Sequence, residues 1–595
     1  MKLSDYVAQK IFELGIEQVF MITGGGAMHL NQSLGNHPNL NCIFNHHEQA
    51  CAIAAESYYR LTNRPAIVNV TTGPGGTNTL TGIHGAWTDS LGMLVISGQV
   101  KYETTVQSTG LNLRQYGDQE IEIIKMVSSI TKYSVMITDP NSIRYHLEKA
   151  FHLAISGRPG PCWIDIPIDI QAAQINPDEL EKFDPSELPQ TWKKTDLNHA
   201  AQTILDQIAK AKRPVVFAGA GVRLSGQHDQ FLQFLNKVKI PVVTGWNAHD
   251  AVWNDHPNYV GRPGTVGDRA GNFVVQNADL LIILGSRLNI RQVSYNWASF
   301  ASKADKIWID IDDVEMQKPS IKAEICIHAD LADLLVKLNE HTYNAPEKSH
   351  DDWMAWCKER QKNYPVTLDE YWANPKINLY CFIDTLFKQL PNDQIVVTAN
   401  GSACVVGFQA AYLKQGQRLW TNSGSAAMGY DLPAAIGAYK GSKGAPIACL
   451  AGDGSIMMNL QELQTIAGNN MPIKIFIINN QGYSSINQTH HNFFNGNEVG
   501  ASPMSGVTFP DFEKIALAFN MPYVRCSQHS EMIPAIERTM TEKGPAICEI
   551  MVDEKMPFAP KLSSKQLPDG TIISPSLEDM APFLSEEELK KNMLN

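Results

Sequence analysis

"LAGDGSIMMNLQELQTIAGNNMPIKIFIINNQGYSSINQT", residues 450–489, sets Gly-Asp-Gly-Ser after one short apolar run and Asn-Asn after the next. The first run predicts a strand ending at Asp453. A helix follows, with Asn459 as its N-cap and Glu462 completing a capping box. Leu460, Leu463 and Ala467 share one face of that helix, and "GNNMP" stops it. "IKIFIIN" (473–479) predicts a second strand. A right-handed crossover between parallel strands brings both strand ends to one edge of the sheet. Asp453 and Asn480 therefore become neighbours at the carboxyl edge, where open α/β sheets bind ligands.

A carboxylate, an amide oxygen and the backbone at Gly454 and Gly482 suit a hard cation that keeps phosphate oxygens among its ligands. Mg²⁺ behaves this way and seldom sits in an all-protein cage. Backbone N–H groups at the Ser455 turn can take the phosphate itself. The bland alternative is a plain βαβ unit with a glycine turn.

The same βα pattern runs outward along the chain. "AIVNV" (66–70), "MLVISG" (93–98), "PVVFAGAG" (214–221), "DLLIILG" (279–285), "KIWIDID" (306–312), "IVVTAN" (395–400) and "PIACLAGDG" (446–454) are short β-branched runs ending in Gly, Asp or Asn. They predict doubly wound α/β units with parallel sheets. Two polar, proline-bearing stretches, 174–196 and 344–376, read as seams. They divide the chain into domains at about 1–175, 196–343 and 375–553, with a tail from 554 to 595 read as an extended strap with a short last helix.

The bulk figures fit this reading. The 595 residues are 44% hydrophobic and 18% charged, with a net charge of −12. That acidic balance argues against non-specific binding to nucleic acid or an anionic membrane. No apolar run approaches the roughly 20 residues of a membrane span. Met1-Lys2-Leu3-Ser4-Asp5 lacks a signal-peptide pattern. The 10 cysteines contain no CxxC pair and read as reduced and mostly buried, which argues against zinc and for the cytoplasm.

The GDGS…NN pair resembles the diphosphate-binding motif of thiamine-diphosphate (ThDP) enzymes. "GIEQVFMITGGGAMHLNQSLGNHPNLNCIFNHHEQACAIAAESYYRLTNRPAIVNVTTGPGGTN" (15–78) is similar to the first domain of the acetohydroxyacid (acetolactate) synthase group. The resemblance spans about residues 1–553 in the family's domain order: pyrimidine-binding, central, diphosphate-binding. It implies Asp453 and Asn480 as Mg²⁺ ligands, with the carbonyl of Gly482 as a third, and Gly452, Gly454 and Ser455 beside the diphosphate. Gly401 and Ser402, in "ANGSA" (399–403), stand at a strand-to-helix turn and offer a second candidate contact for the diphosphate. Glu48, in "HHEQA", matches the catalytic glutamate. Its hydrogen bond to the aminopyrimidine ring favours the imino tautomer, whose nitrogen deprotonates the thiazolium. His46 and His47 read as packing or hydrogen-bonding neighbours.

Gly25 and Gly26 match the loop facing the thiazolium, and Gly73 and Asn78 match the turn near the cofactor and a partner chain. Met428 falls on the apolar wedge beneath the cofactor, a task that suits a flexible, polarizable side chain. Gln119 and Arg291 fall on an active-site glutamine and on the arginine that grips the acceptor carboxylate; a planar, bidentate cation fits a 2-oxo acid. In the central domain the resemblance puts nucleotide contacts at Gly219, Gly221, Arg287, Asn289 and Asp312, with FAD, ADP or nothing bound. Each cofactor lies between two subunits in the family, which implies a homodimer or homotetramer.

The implied reaction decarboxylates a 2-oxo acid, pyruvate being the expected donor, and transfers the two-carbon unit to a second carbonyl. The chain departs from the biosynthetic synthases at Thr489, where they carry tryptophan, at Ile168, where they have lysine, and at Ala403, where they have histidine. These departures leave the acceptor open among a 2-oxo acid, an aldehyde and a ketosugar. A simple 2-oxo acid decarboxylase, a pyruvate-oxidase-type enzyme using FAD and a scaffold without catalysis are the competing readings.

Overall fold

The computed structural model describes every residue except 190–194, 347–349, 567–568 and 595. Parts of both predicted seams therefore lie outside the described residues. Three six-stranded sheets organise the chain, all with parallel neighbours. The first holds β1 (Gln18–Met21), β2 (Asn41–Phe44), β3 (Ile67–Val70), β4 (Met93–Gln99), β5 (Tyr133–Met136) and β6 (Pro161–Pro167), in the order β2-β1-β3-β4-β6-β5. The second holds β7 (Pro214–Ala218), β8 (Val242–Thr244), β9 (Tyr259–Gly261), β10 (Leu280–Leu284), β11 (Asp305–Asp310) and β12 (Ile325–His328), in the order β12-β11-β10-β7-β8-β9. The third holds β13 (Ile395–Thr398), β14 (Arg418–Trp420), β15 (Ile447–Gly452), β16 (Ile473–Asn479), β17 (Tyr523–Cys526) and β18 (Ala546–Met551), in the order β14-β13-β15-β16-β18-β17. The central strands are buried along their whole length, as continuous Val/Ile/Leu runs covered by helices on both faces should be. The fold is the expected three-sheet α/β architecture.

Two helices join the first and third sheets. Glu48–Thr62 starts after His47, whose Nδ1 accepts the Gln49 N–H, and ends at Asn63 in the left-handed conformation (φ 52°). It packs against Asp431–Gly441 so closely that a Cβ on Gly437 would stand 2.0 Å from the Ala54 carbonyl oxygen. A buried ion cluster seals this seam. Arg60 Nη2 binds Glu56 and Asp89, and the Tyr430 hydroxyl donates to Glu56 Oε2 at 2.7 Å. Burial raises the Glu56 carboxyl above its usual range, with Arg60 opposing it.

Three expectations change. The stretch 344–376 is more than a seam, because Asp351–Asn363 forms a helix that buries Trp353 and Cys357 four residues apart. Its polar, proline-rich flanks mask that short apolar face. No capping box forms at Asn459: a 3-10 turn (Ile456–Met458) intervenes and the helix begins at Glu462. Both capping-box side chains have longer-range partners, described below. The tail does more than strap the surface: Leu577 and Met580 are fully buried, and Asn272 Nδ2 donates to the Leu577 carbonyl at 2.9 Å. Its last helix is Glu586–Lys591. Of the ten cysteines, eight are buried and Cys326 is exposed. No helix among the described residues is long and apolar enough to cross a membrane.

Candidate active site

Three adjacent strands of the third sheet deliver the predicted diphosphate end. β13 ends before Gly401 and Ser402, β15 before Asp453, and β16 before Asn480. β15 and β16 pair in register from Ile447↔Ile473 to Gly452↔Ile478, so Asp453 and Asn480 emerge side by side. Asp453 Oδ2 accepts the backbone N–H of Asn480 at 3.1 Å and of Gly482 at 3.2 Å, and Oδ1 accepts that of Gly454 at 2.7 Å. Burial pushes the Asp453 carboxyl up to about 7 against the pull of these N–H groups. The Asn480 amide donates to Ser402 Oγ at 3.1 Å, which fixes its orientation. Its Oδ1 is then buried with no hydrogen-bond partner among the described residues.

An unpaired buried carbonyl oxygen costs free energy unless something fills its lone pairs. An amide oxygen beside a buried carboxylate is a hard donor set, so these residues fit Mg²⁺. The glycines let neighbouring segments pack closely here: a Cβ on Gly454 would stand 2.3 Å from the Tyr483 ring and one on Gly482 2.4 Å from the Ala501 carbonyl oxygen. Gly452 closes β15 next to them. The Ser455 hydroxyl donates to Asp431 Oδ2 at 2.6 Å and accepts from Gly429 N, which leaves its backbone N–H as the group to offer a phosphate. Burial raises Asp431 to about 6. Met428, half-buried, precedes Gly429 in this loop.

The first sheet assembles a second group. Glu48 opens its helix, and its Oε2 accepts the Asn78 amide at 3.0 Å. Gly73 (φ 61°) lies so close to Gln119 that an added Cβ would stand 2.2 Å from the Gln119 carbonyl oxygen. Gln119 is exposed and itself in the left-handed region (φ 63°). Gly25 begins the 3-10 turn Gly25–Ala27, and the Gly26 N–H donates to Thr71 Oγ1 at 3.0 Å. Glu48 thus pairs with Asn78 and Gly73 with Gln119, and the short helix Pro74–Thr77, between Gly73 and Asn78, links the two pairs.

Sequence reasoning missed what holds Glu48 in place. Glu462 is fully buried; its Oε1 accepts the His46 N–H at 2.9 Å and its Oε2 the Asn45 amide at 2.9 Å. His46 Nδ1 also meets Thr465 Oγ1 at 2.9 Å, and the Asn459 amide donates to Gln49 Oε1 at 2.8 Å. The side chains expected to cap a helix instead clamp the segment on either side of Glu48. The Glu462 acid within "QEL", beside the GDGS motif, was the only available signal.

The second sheet carries a cleft of about 570 Å³ lined by Gly221, Gly285, Arg287, Asn289, Asp310 and Trp246 among others. It lies at the carboxyl ends of β7, β10 and β11, the edge at which open α/β sheets bind ligands. Gly219 faces the loop after β10, where a Cβ would stand 2.3 Å from the Gly285 carbonyl oxygen. Asp312 is bound to Arg158 Nη1 at 2.9 Å, and Asp310 lines the cleft in its stead. Arg291 is exposed; its guanidinium lies 5.0 Å from the Trp246 ring centroid, and Trp246 packs on Phe408 of the helix that follows Ser402. Thr489 is exposed, Ile168 half-buried and Ala403 buried.

Comparison with known proteins agrees with this arrangement. Residues 1–126 match the thiamine pyrophosphate enzyme N-terminal TPP binding domain, 201–338 the central domain and 399–550 the C-terminal TPP binding domain. The large subunit of acetolactate synthase from Corynebacterium glutamicum is 32% identical over 565 residues, covering 94% of this chain and 88% of that protein. Acetolactate synthase isozyme 2 large subunit from Escherichia coli is 31% identical over 558 residues, 93% and 95% of the two chains. The chloroplastic acetolactate synthase 1 of Oryza sativa is 30% identical over 573 residues, 95% and 86% of the two. With three domains in the same order and identity extending over nearly its whole length, the chain belongs to the acetolactate synthase-like family of thiamine-diphosphate-dependent enzymes.

Proposed function

We propose that the chain is a carboligase that removes CO₂ from a 2-oxo acid, with pyruvate as donor, and transfers the two-carbon unit to a second carbonyl. The observation that carries this reading is the buried, unpaired Asn480 Oδ1 beside Asp453 at the end of adjacent strands. The relatives named acetolactate synthase support the substrate class.

When bound, thiamine diphosphate supplies the carbon nucleophile and the electron sink for loss of CO₂. Asp453, Asn480 Oδ1 and the Gly482 carbonyl would hold Mg²⁺, and the N–H groups at Ser402 and Ser455 the phosphates. Glu48 would hold a proton against the coenzyme's pyrimidine, with Asn78 orienting its carboxyl. Met428 would prop the coenzyme from below. Gly25 and Gln119 would border the reacting carbon, and Arg291 would bind a carboxylate.

Exposed apolar side chains near these elements, Met28, Phe44, Met457, Met458 and Ile486 among them, support a homodimer in which a second copy covers them. The central cleft would take FAD or ADP as a structural ligand. Purified protein given ThDP, Mg²⁺ and [3-¹³C]pyruvate tests the reading by NMR. Acetolactate or another ligation product supports it; acetaldehyde alone would make the chain a decarboxylase, and acetate formed with oxygen uptake an oxidase. Sedimentation and flavin extraction test the dimer and the FAD.

A further inference from the structure

The tail packs against the helix that follows Gly482 as well as against the second sheet's domain. Lys561 is held on both sides of its backbone: its N–H donates to the Ala581 carbonyl at 2.9 Å and its carbonyl accepts from Ala581 N at 2.8 Å. The next residue, Leu562, donates its N–H to the Thr265 carbonyl at 2.7 Å, and the Thr265 N–H donates to the Arg291 carbonyl at 2.9 Å. Backbone contacts through Thr265 therefore tie the tail to the short helix Ile290–Val293, which carries Arg291. On its other side Lys561 Nζ donates to Gln488 Oε1 at 3.0 Å. Gln488 lies in the helix Ser484–Phe493, which begins two residues after Gly482. The Phe558 N–H also donates to Gln488 Oε1, at 3.4 Å.

This geometry leaves donors without acceptors. Gln488 Oε1 is committed to Phe558 and Lys561, which fixes the amide, and its Nε2 is buried with no partner among the described residues. No carboxylate among the described residues pairs with Lys561 or with Arg291. Burial lowers the affinity of Lys561 for its proton, and no nearby acid raises it again. A lysine with no carboxylate partner, beside a buried unfilled N–H donor, is matched by an anionic ligand.

We propose that Lys561, with Gln488 Nε2 beside it, recognises an anionic substituent on the acceptor, separate from the reacting carbonyl. This inference rests on the carboligase reading. It names the acceptor class, a carbonyl compound bearing a phosphate ester or a carboxylate some atoms away from the carbonyl. It also gives the tail a function that the synthase motifs do not cover. Thr489, next to Gln488 in the chain, is exposed and polar, which agrees with a hydrophilic acceptor.

The test is equilibrium binding to the full chain loaded with ThDP and Mg²⁺. Calorimetry compares glycerol 3-phosphate, 3-hydroxypropionate and glycerol as unreactive probes. The wild type should bind at least one of the two anions about tenfold or more tightly than glycerol, the discrimination that a charge-assisted bond supplies. Lys561→Met should abolish the preference and Lys561→Arg should retain it. Preference for the phosphate over the carboxylate, or the reverse, identifies the substituent. Equal binding of all three probes by the wild type, or an unchanged preference in Lys561→Met, would overturn the proposal. CO₂ release from pyruvate, measured on the same wild-type sample, separates the two claims. Release without any anion preference sinks only the acceptor inference, whereas anion preference without release sinks the carboligase reading.

Discussion

Ser402 Oγ accepts the side-chain amide of Asn480 at 3.1 Å, and that bond decides which face of the amide is free. Without it the two ends of the amide are interchangeable, and the buried Oδ1 could turn away from Asp453. Ser402→Ala should therefore weaken Mg²⁺-dependent coenzyme binding by about 10–100-fold, the usual cost of losing the partner that orients a metal ligand. Quenching of tryptophan fluorescence during a ThDP titration at fixed Mg²⁺ measures it. Unchanged affinity would disconnect the two residues.

Glu48→Gln removes the acid but keeps a side chain that Asn78 can still reach. CO₂ release from pyruvate should fall by about 10²–10⁴-fold, the range for a lost acid–base group. Coenzyme affinity should change far less, because the phosphate and metal contacts lie on another domain. Full activity in this variant would remove Glu48 from the chemistry.

Glu462→Ala leaves the Asn45 amide and the His46 N–H without their acceptor. Each unpaired buried group costs about 1–3 kcal/mol. Urea unfolding should show the loss, and the turnover of the residual folded protein should fall because the clamp sets the position of Glu48. Glu462→Gln, which keeps one acceptor oxygen, should fall between the wild type and Glu462→Ala on both measures.

Gly73→Ala and Gly25→Ala should behave differently. At Gly73 an added Cβ would stand 2.2 Å from the Gln119 carbonyl oxygen at φ 61°, whereas at Gly25 it would meet nothing within 4 Å. Gly73→Ala should cost about 1–3 kcal/mol through backbone strain and displace Gln119. Gly25→Ala should alter stability by no more than about 0.5 kcal/mol. Melting temperatures of the two variants check the contrast; equal losses would refute the close approach at Gly73.

Asp165 gives a pH signature. It is buried, accepts from Ser97 Oγ and from Gln99 Nε2, and burial raises it to about 7 from an ordinary value of 3.8. A carboxyl raised in the folded state favours folding most when protonated. Its contribution is complete below about pH 4 and is lost as pH rises through about 7. The difference in melting temperature between the wild type and Asp165→Asn should accordingly shift against the wild type from pH 4 to 7 and stay flat above that. A difference independent of pH would show Asp165 to be ionised throughout.

The three-sheet architecture was legible because buried parallel strands are continuous apolar runs that turns of Gly, Asp and Asn terminate. The pairing of Asp453 with Asn480 was legible too, since a right-handed crossover leaves one geometry for the two strand ends. The helix Asp351–Asn363 was missed because two buried residues within a polar stretch give little periodicity. Asn459 and Glu462 have the right residue types and spacing for a capping box, a local pattern. A local pattern cannot show that residues more than 400 positions away take both side chains as hydrogen-bond partners instead.

By itself the sequence determined the family and the adjacency of Asp453 and Asn480 at the sheet edge, because each depends on short stretches whose spacing the backbone enforces. Only the tertiary structure decided that Glu462 clamps the Glu48 segment, that Ser402 orients Asn480, and that Lys561 meets Gln488. Those contacts join residues far apart in the sequence. Their energies come from burial and hydrogen-bond satisfaction, which exist only once the distant segments have packed together.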